Sequence, residues 1–322
     1  MPTSALRLVC CFAFFVVSST SVDRVAAEES PLELLKNSKR IVFLGDSITA
    51  SGRYVAFFNA WLSTRKLDPS PLVIDAGLSS ETVSGLSEDG HAGGKFPRPD
   101  LHERLDRVLA LTKPDLVFAC YGINCGIYQP FDESRLAKYQ EGYRTLKSKL
   151  DAIGAKLVVI TPPFYDDRQK NPGEFSYNGV LDRYTEWLLG QRSAGWRVVD
   201  LHTAMTQEVA RRRESDPKFT FQPDRVHPND AGHWFMAQQL IAWFGDAKSA
   251  AAETPQAMLA LNGVSPAALN LEQQRVNVLR DAYVATAGHK RPGVGKGLPI
   301  PEAEAKFAEL TRELQALPPA TK

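Results

Sequence analysis

Five short apolar runs, at residues 41–44, 72–74, 116–119, 157–160 and 197–199, recur along this chain with long amphipathic stretches between them. Each run is rich in Val, Ile or Leu and is bounded by Gly, Pro or Asp, the pattern of a strand buried on both faces of a parallel sheet. The stretches at 54–64, 101–111, 135–153 and 178–192 are long enough for right-handed crossover helices, and a further helix is expected near 231–244. The alternation predicts an α/β fold, a three-layer α/β/α sandwich around a five-stranded parallel sheet. A hydrophobic share of 43% supplies the core that such a sandwich needs and excludes a disordered chain. Charge excludes more: 38 basic against 37 acidic side chains leave no basic field to grip a nucleic acid or an anionic membrane.

The two ends read differently from the middle. Residues 1–27 combine Arg7, an apolar run at 8–17 and the small residues Val25, Ala26 and Ala27, which together form a secretory signal peptide and imply a secreted or periplasmic protein. The run is too short to span a bilayer, so no integral membrane segment is expected. Cleavage would leave Cys120 and Cys125, read as two reduced thiols with one buried in a strand, so stability does not rest on disulfides. Residues 246–255 read as a linker. Beyond it, helices at 271–287 and 302–317 flank a Gly/Pro/Lys-rich loop, with too few large apolar residues to fold alone; 255–322 is therefore expected to pack on the main body.

Ligands of an open parallel sheet bind beyond the carboxyl ends of its strands, where the strand order reverses. The first strand is followed by Gly45-Asp46-Ser47-Ile48, which sets a serine hydroxyl on a tight turn whose free N–H groups can face an anion. After the second comes Gly77, either a plain turn or a bare N–H brought close to a ligand. After the third, Gly122-Ile123-Asn124 offers the two amide donors of Asn124. Late in the chain, Asp224-Arg225-Val226-His227-Pro228 opens into a helix. A hydroxyl needs a neighbouring base, and an imidazole oriented by a carboxylate meets that need; the same His also reads as a helix cap. Asp200 and His202 follow the fifth strand and form a rival pair.

Taken in order, these four blocks resemble the SGNH, or GDSL, hydrolase family, over roughly residues 39–244, and the hydrolase domain is set at 37–248. The resemblance implies that Ser47 is the nucleophile, His227 the general base and then acid, and Asp224 its orienter. The oxyanion hole would comprise the N–H groups of Ser47 and Gly77 with the Asn124 side chain. Two positions depart from the family pattern: many members carry Asn where this chain has Asp75, and Asp where it has Cys125. These touch the support of the site, not the triad.

No Gly-x-Ser-x-Gly elbow occurs, and no His-Glu-x-x-His, Cys-x-x-Cys or EF-hand spacing, so neither an α/β-hydrolase nor a metal or other cofactor is expected. The reading is a secreted ester hydrolase working through an acyl-serine, its substrate a small-molecule or polysaccharide ester, most simply an acetylated carbohydrate. Ser79, Ser80, Glu81, Tyr121, Asn124 and Tyr165 are expected either to meet sugar hydroxyls or simply to be solvated, and Phe164, Tyr165 and Tyr177 to offer stacking faces or to line a surface loop. Within the family the alternatives are a lipid-directed esterase, a lysophospholipase or a thioesterase. Outside it, the alternative is a non-catalytic carbohydrate-binding or scaffold protein.

Overall fold

The computed structural model describes Met1 and residues 29–169 and 175–320. The leader at 1–27 therefore lies, Met1 aside, outside the described residues. A short helix α1 (Pro31–Asn37) leads into β1 (Arg40–Gly45), the one-turn helix α2 (Ser47–Ala50), α3 (Arg53–Ser63) and β2 (Leu72–Asp75). Next come α4 (His91–Gly94), α5 (Leu101–Thr112), β3 (Leu116–Cys120), α6 (Glu133–Ala152) and β4 (Lys156–Ile160). The main body closes with α7 (Tyr177–Gly190), β5 (Arg197–Val199), α8 (Leu201–Arg213) and α9 (Asp230–Trp243). Four helices follow: α10 (Ala247–Ala250), α11 (Pro255–Leu261), α12 (Ala268–Ala287) and α13 (Ile300–Ala316).

All five strands are parallel, in the order β2-β1-β3-β4-β5. The chain therefore leaves β1 toward one edge and returns past it to β3, which puts the reversal of strand order beside β1. Register aligns the strand ends there: Gly45 pairs with Cys120 and Phe43 with Asp75, so the turns after β1, β2 and β3 emerge side by side.

Apolar packing holds the layers together. Phe43 of β1 stacks on Phe118 of β3 at 4.9 Å and meets Phe58 of α3 edge-on at 5.4 Å, while Phe58 reaches Phe244 beyond α9 at 5.8 Å. On the other face, Tyr139 and Tyr143 of α6 pack against Tyr184 and Trp187 of α7. Each of these rings is buried or nearly so, and burial of this kind contributes about 1.5–3 kcal/mol per large side chain.

The segment read as a linker is instead held in place. It contains α10, and Asp246 accepts hydrogen bonds from Trp61 Nε1 (2.9 Å) and Arg65 Nη1 (2.8 Å) of the α3 region. Further on, α12 packs against α3, β2 and α5. Because α3 and α5 follow successive strands, that placement runs α12 along the outer side of β2 and covers an edge that would otherwise expose unpaired backbone groups. Among the described residues no helix is long and apolar enough to cross a membrane.

Candidate active site

Ser47 opens α2 directly beyond the end of β1. The preceding Asp46 caps that helix, its Oδ1 accepting the N–H of Ile48 at 2.9 Å. Burial pushes the Asp46 carboxyl up to about 7, against the pull of that N–H. Ile48 and Thr49 are buried, so the serine stands on a turn fixed from below. Its own N–H heads the helix, where no preceding turn supplies a carbonyl.

The other half of the pair arrives from between α8 and α9. Ser47 Oγ lies 2.9 Å from His227 Nε2, and His227 Nδ1 lies 2.7 Å from Asp224 Oδ2. A carboxylate oxygen only accepts, so Nδ1 carries the ring proton and Nε2 presents its lone pair to the serine. Partial burial works to raise the Asp224 carboxyl. The bonds from the His227 ring and from the N–H groups of His227 (2.7 Å) and Val226 (3.0 Å) outweigh it and hold the group below the ordinary carboxylate range. Asp224 is thus ionised at neutral pH.

Two turns complete the floor. Gly77 approaches α2 so closely that a Cβ would stand 2.5 Å from the backbone nitrogen of Ala50, which only glycine permits. Its N–H is already engaged, donating to Asp75 Oδ1 at 2.8 Å. Burial pushes Asp75 up to about 7, and its Oδ2 has no hydrogen-bond partner. Asn124 is buried after β3, on a loop that turns at Gly122 with φ +150°, where a side chain would collide with Pro162. The Asn124 amide is held at both ends: Nδ2 donates to the carbonyl of Glu81 (3.3 Å), and Oδ1 accepts from Tyr128 Oη (3.0 Å). One Nδ2 hydrogen remains to be pointed elsewhere.

Beneath Asn124 lies a buried polar cluster. Arg104 forms a two-pronged bond to Glu81 (Nε–Oε1 2.6 Å, Nη2–Oε2 2.7 Å) and also donates to the Ala76 carbonyl (2.7 Å), while Tyr121 Oη donates to Glu81 Oε2 (2.6 Å). This corrects two expectations, because Glu81 and Tyr121 are fully buried and paired, and so are not available to sugar hydroxyls. Ser79 and Ser80 remain half-buried at the surface. Phe164, Tyr165 and Tyr177 are buried as well: Tyr177 stacks on Tyr128 at 4.8 Å, and Tyr165 meets Tyr177 edge-on at 5.0 Å. They shape a wall rather than offer an open face.

The rival pair is committed elsewhere. His202 is buried with Nε2 on Asp182 (2.7 Å) and Nδ1 on the Pro162 carbonyl (3.2 Å), and Asp200 caps α8 through the Thr203 N–H (3.1 Å). Cys120 and Cys125 are free and buried, and burial pushes the Cys125 thiol up to about 12. Sequence reasoning missed Asp166 altogether. This buried carboxylate accepts from Thr220 Oγ1 (2.6 Å) and Arg213 Nη2 (2.7 Å), and its backbone clasps Arg225 in both directions, so it anchors the loop that carries Asp224 and His227.

A family model for GDSL-like lipases and acylhydrolases matches residues 43–235, more than half of the chain. The chain belongs to that family. It is a carboxylic ester hydrolase, and its α/β sandwich is the fold of SGNH hydrolases. An acetylxylan esterase from Geobacillus stearothermophilus is 23% identical over 238 residues, which cover 65% of this chain and 95% of that protein. Among solved structures, a gut microbial diltiazem-metabolizing enzyme superposes with a TM-score of 0.54 at 22% identity. That match covers 64% of this chain but only 47% of the other, so the chain spans about half the length of that enzyme. The acetyl xylan esterase AlAXEase gives a TM-score of 0.51 at 20% identity, covering 63% of this chain and 98% of its own. At such identities the structural likeness speaks for the fold. The family match ends within α9, so α10 to α13 lie outside it.

Proposed function

We propose that this family member is an exported serine esterase that removes small acyl groups, acetyl foremost, from carbohydrate hydroxyls. The observation that carries the reading is the unbroken relay from Asp224 through His227 to Ser47, with links of 2.7 Å and 2.9 Å. In the first half-reaction Ser47 Oγ attacks the ester carbonyl carbon while His227 Nε2 takes its proton. The tetrahedral intermediate then collapses, the bond to the sugar oxygen breaks, and His227 returns the proton to that oxygen. Water attacks the acyl-serine in the same way, with His227 again as base, and releases the acid and free Ser47. Asp224 stays ionised and holds the imidazole in the tautomer that presents Nε2.

Charge on the tetrahedral oxygen is met by the N–H of Ser47 and the free Nδ2 hydrogen of Asn124, with the Gly77 N–H as a shared third donor because Asp75 already accepts it. Export rests on the leader at 1–27, and the catalytic unit is assigned to 37–248 with 255–322 appended to it. The carbohydrate class is supported by the acetylxylan esterase relative. Specificity constants for acetyl, butyryl and octanoyl esters, together with acetate release from acetylated xylan, test the proposal. Preference for acetyl with acetate released is the predicted result. A steady rise toward octanoyl with no acetate released from polysaccharide favours a lipid substrate instead.

A further inference from the structure

Outside the family match, α12 reaches back to the candidate nucleophile. Gln273, Asn277 and Arg280 are spaced by four and three residues, which sets them on one face of the helix, and that face rests on the junction of α2 and α3. Arg280 Nη1 donates to the carbonyl of Ala50 at 2.9 Å and to Asn277 Oδ1 at 3.0 Å. Ala50 is the last residue of α2, so its carbonyl is one that a helix end leaves without a helical donor. Gln273 completes the face, donating to Asn277 Oδ1 (3.0 Å) and accepting from Arg53 Nη1 (3.4 Å). The turn between α2 and α3 is Gly52, with φ +70°, and a side chain there would stand 3.0–3.2 Å from Asn277, Gln273 and Arg280.

Ala50 is pressed from its other side by Gly77. The end of the nucleophile helix is therefore gripped between a turn of the candidate oxyanion wall and the C-terminal helix. The grip is anchored: Asn59 Nδ2 donates to the buried Glu272 Oε2 at 2.6 Å, and Arg107 Nε donates to the Ala287 carbonyl at the far end of α12 at 2.6 Å.

We infer that Arg280 is a positioning residue for ester hydrolysis, which fixes α2 against Gly77 through the Ala50 carbonyl and so holds Ser47 Oγ in line with His227 and the oxyanion donors. The inference rests on the reading of Ser47 as the nucleophile. Electrostatics support it: burial raises the Asp75 carboxyl, and the Arg280 guanidinium is the foremost charge that draws it back. Removing Arg280 thus takes away both the bond to α2 and the charge that faces the group bonded to the Gly77 N–H. A reacting atom misplaced by about 1 Å loses on the order of 10²-fold in rate.

The test compares Arg280→Ala, Arg280→Lys, Tyr283→Phe and Ser47→Ala in the full chain on a small acetyl ester, with kcat, KM and Tm measured for each. Tyr283→Phe cuts the 2.9 Å bond from α12 to Glu304 of α13 without touching α2. Arg280→Ala is expected to lose about 10- to 100-fold in kcat with KM nearly unchanged. Millimolar guanidinium should restore part of that loss, and Tyr283→Phe should keep the parent kcat. The inference is overturned by a parental kcat in Arg280→Ala, by an equal loss in Tyr283→Phe at matched Tm, or by a loss that neither guanidinium nor Arg280→Lys relieves. Ser47→Ala separates the two levels: if it retains turnover, the nucleophile reading itself fails.

Discussion

Ser47 stands among the buried residues Asp46, Ile48 and Thr49, whereas the side chains of His227 and Asp224 keep 50% and 58% of their surface exposed. The first region is made by close packing: strand end, one-turn helix, Gly77 against Ala50, and a buried Glu81–Arg104 cluster under Asn124. The second is a surface loop held by directed bonds, from Asp166 to Thr220 and Arg213 and from Asp224 to two backbone N–H groups. Arg225 there sits at φ +78°, a left-handed conformation that costs a non-glycine residue roughly 1–2 kcal/mol and that bonds to the Asp166 backbone and the Gln222 carbonyl hold in place. On the proposed reading, the nucleophile and its donors are pre-set by the core, while the base is set by a few replaceable hydrogen bonds.

Substitutions on the packed side should therefore cost most. Asn124→Ala is expected to lower kcat by roughly 10²- to 10³-fold with KM little changed, because its amide faces charge that exists only in the tetrahedral state. Steady-state kinetics check this, and an unchanged kcat removes Asn124 from the oxyanion hole. On the loop side, Asp166→Asn should lower kcat by about 10-fold through a displaced His227. Weakening the bonds to Arg213 and Thr220 should also cost about 2 kcal/mol in denaturant unfolding. If Asp166→Asn proves as damaging as Asn124→Ala at equal stability, the loop is as tightly pre-set as the core and the contrast collapses.

The remaining effects are on pH-dependent stability, and they carry opposite signs at two buried groups. Asp75, beside the nucleophile turn, has a folded value of about 7 against 3.8, so its stabilising contribution is present below 3.8 and is lost as pH rises through about 7. Asp75→Asn should then show a gain in Tm that grows across that window. His233 of α9 is held down to about 4 from 6.5, first by burial, so its contribution is present above 6.5 and is lost as pH falls through about 4. Melting curves of Asp75→Asn and His233→Asn between pH 4 and 8 check both directions; parallel curves would contradict the assignment.

The packed region was also the more legible one in sequence. Parallel strands buried on both faces read as plain apolar runs, and 197–199 matches β5 residue for residue. Ser47 stands directly after β1, and Gly77 and Asn124 follow β2 and β3, but their roles are legible only through the ordered likeness of the four blocks to the family. The loop side hid its supports, because Asp166 pairs with Thr220 and Arg213 across 54 and 47 positions, a distance at which no local pattern operates. The same holds for Glu81, whose partner Arg104 is 23 residues away, and which therefore read as a solvent-facing carboxylate. Helix α8 buries Leu201, Met205 and Val209 at a helical spacing of four, a pattern that the charged run Arg211, Arg212 and Arg213 at its end obscures in sequence. The reach of Arg280 to Ala50 spans 230 positions and was beyond any reading of spacing.

The proposed chemistry rests above all on Ser47 as a nucleophile activated by His227. Labelling with an organophosphonate, followed by intact and peptide mass spectrometry, tests it most directly. One adduct per chain is expected, located on Ser47, absent in Ser47→Ala and greatly slowed in His227→Ala. An adduct on another residue, or undiminished labelling of Ser47→Ala, would contradict it.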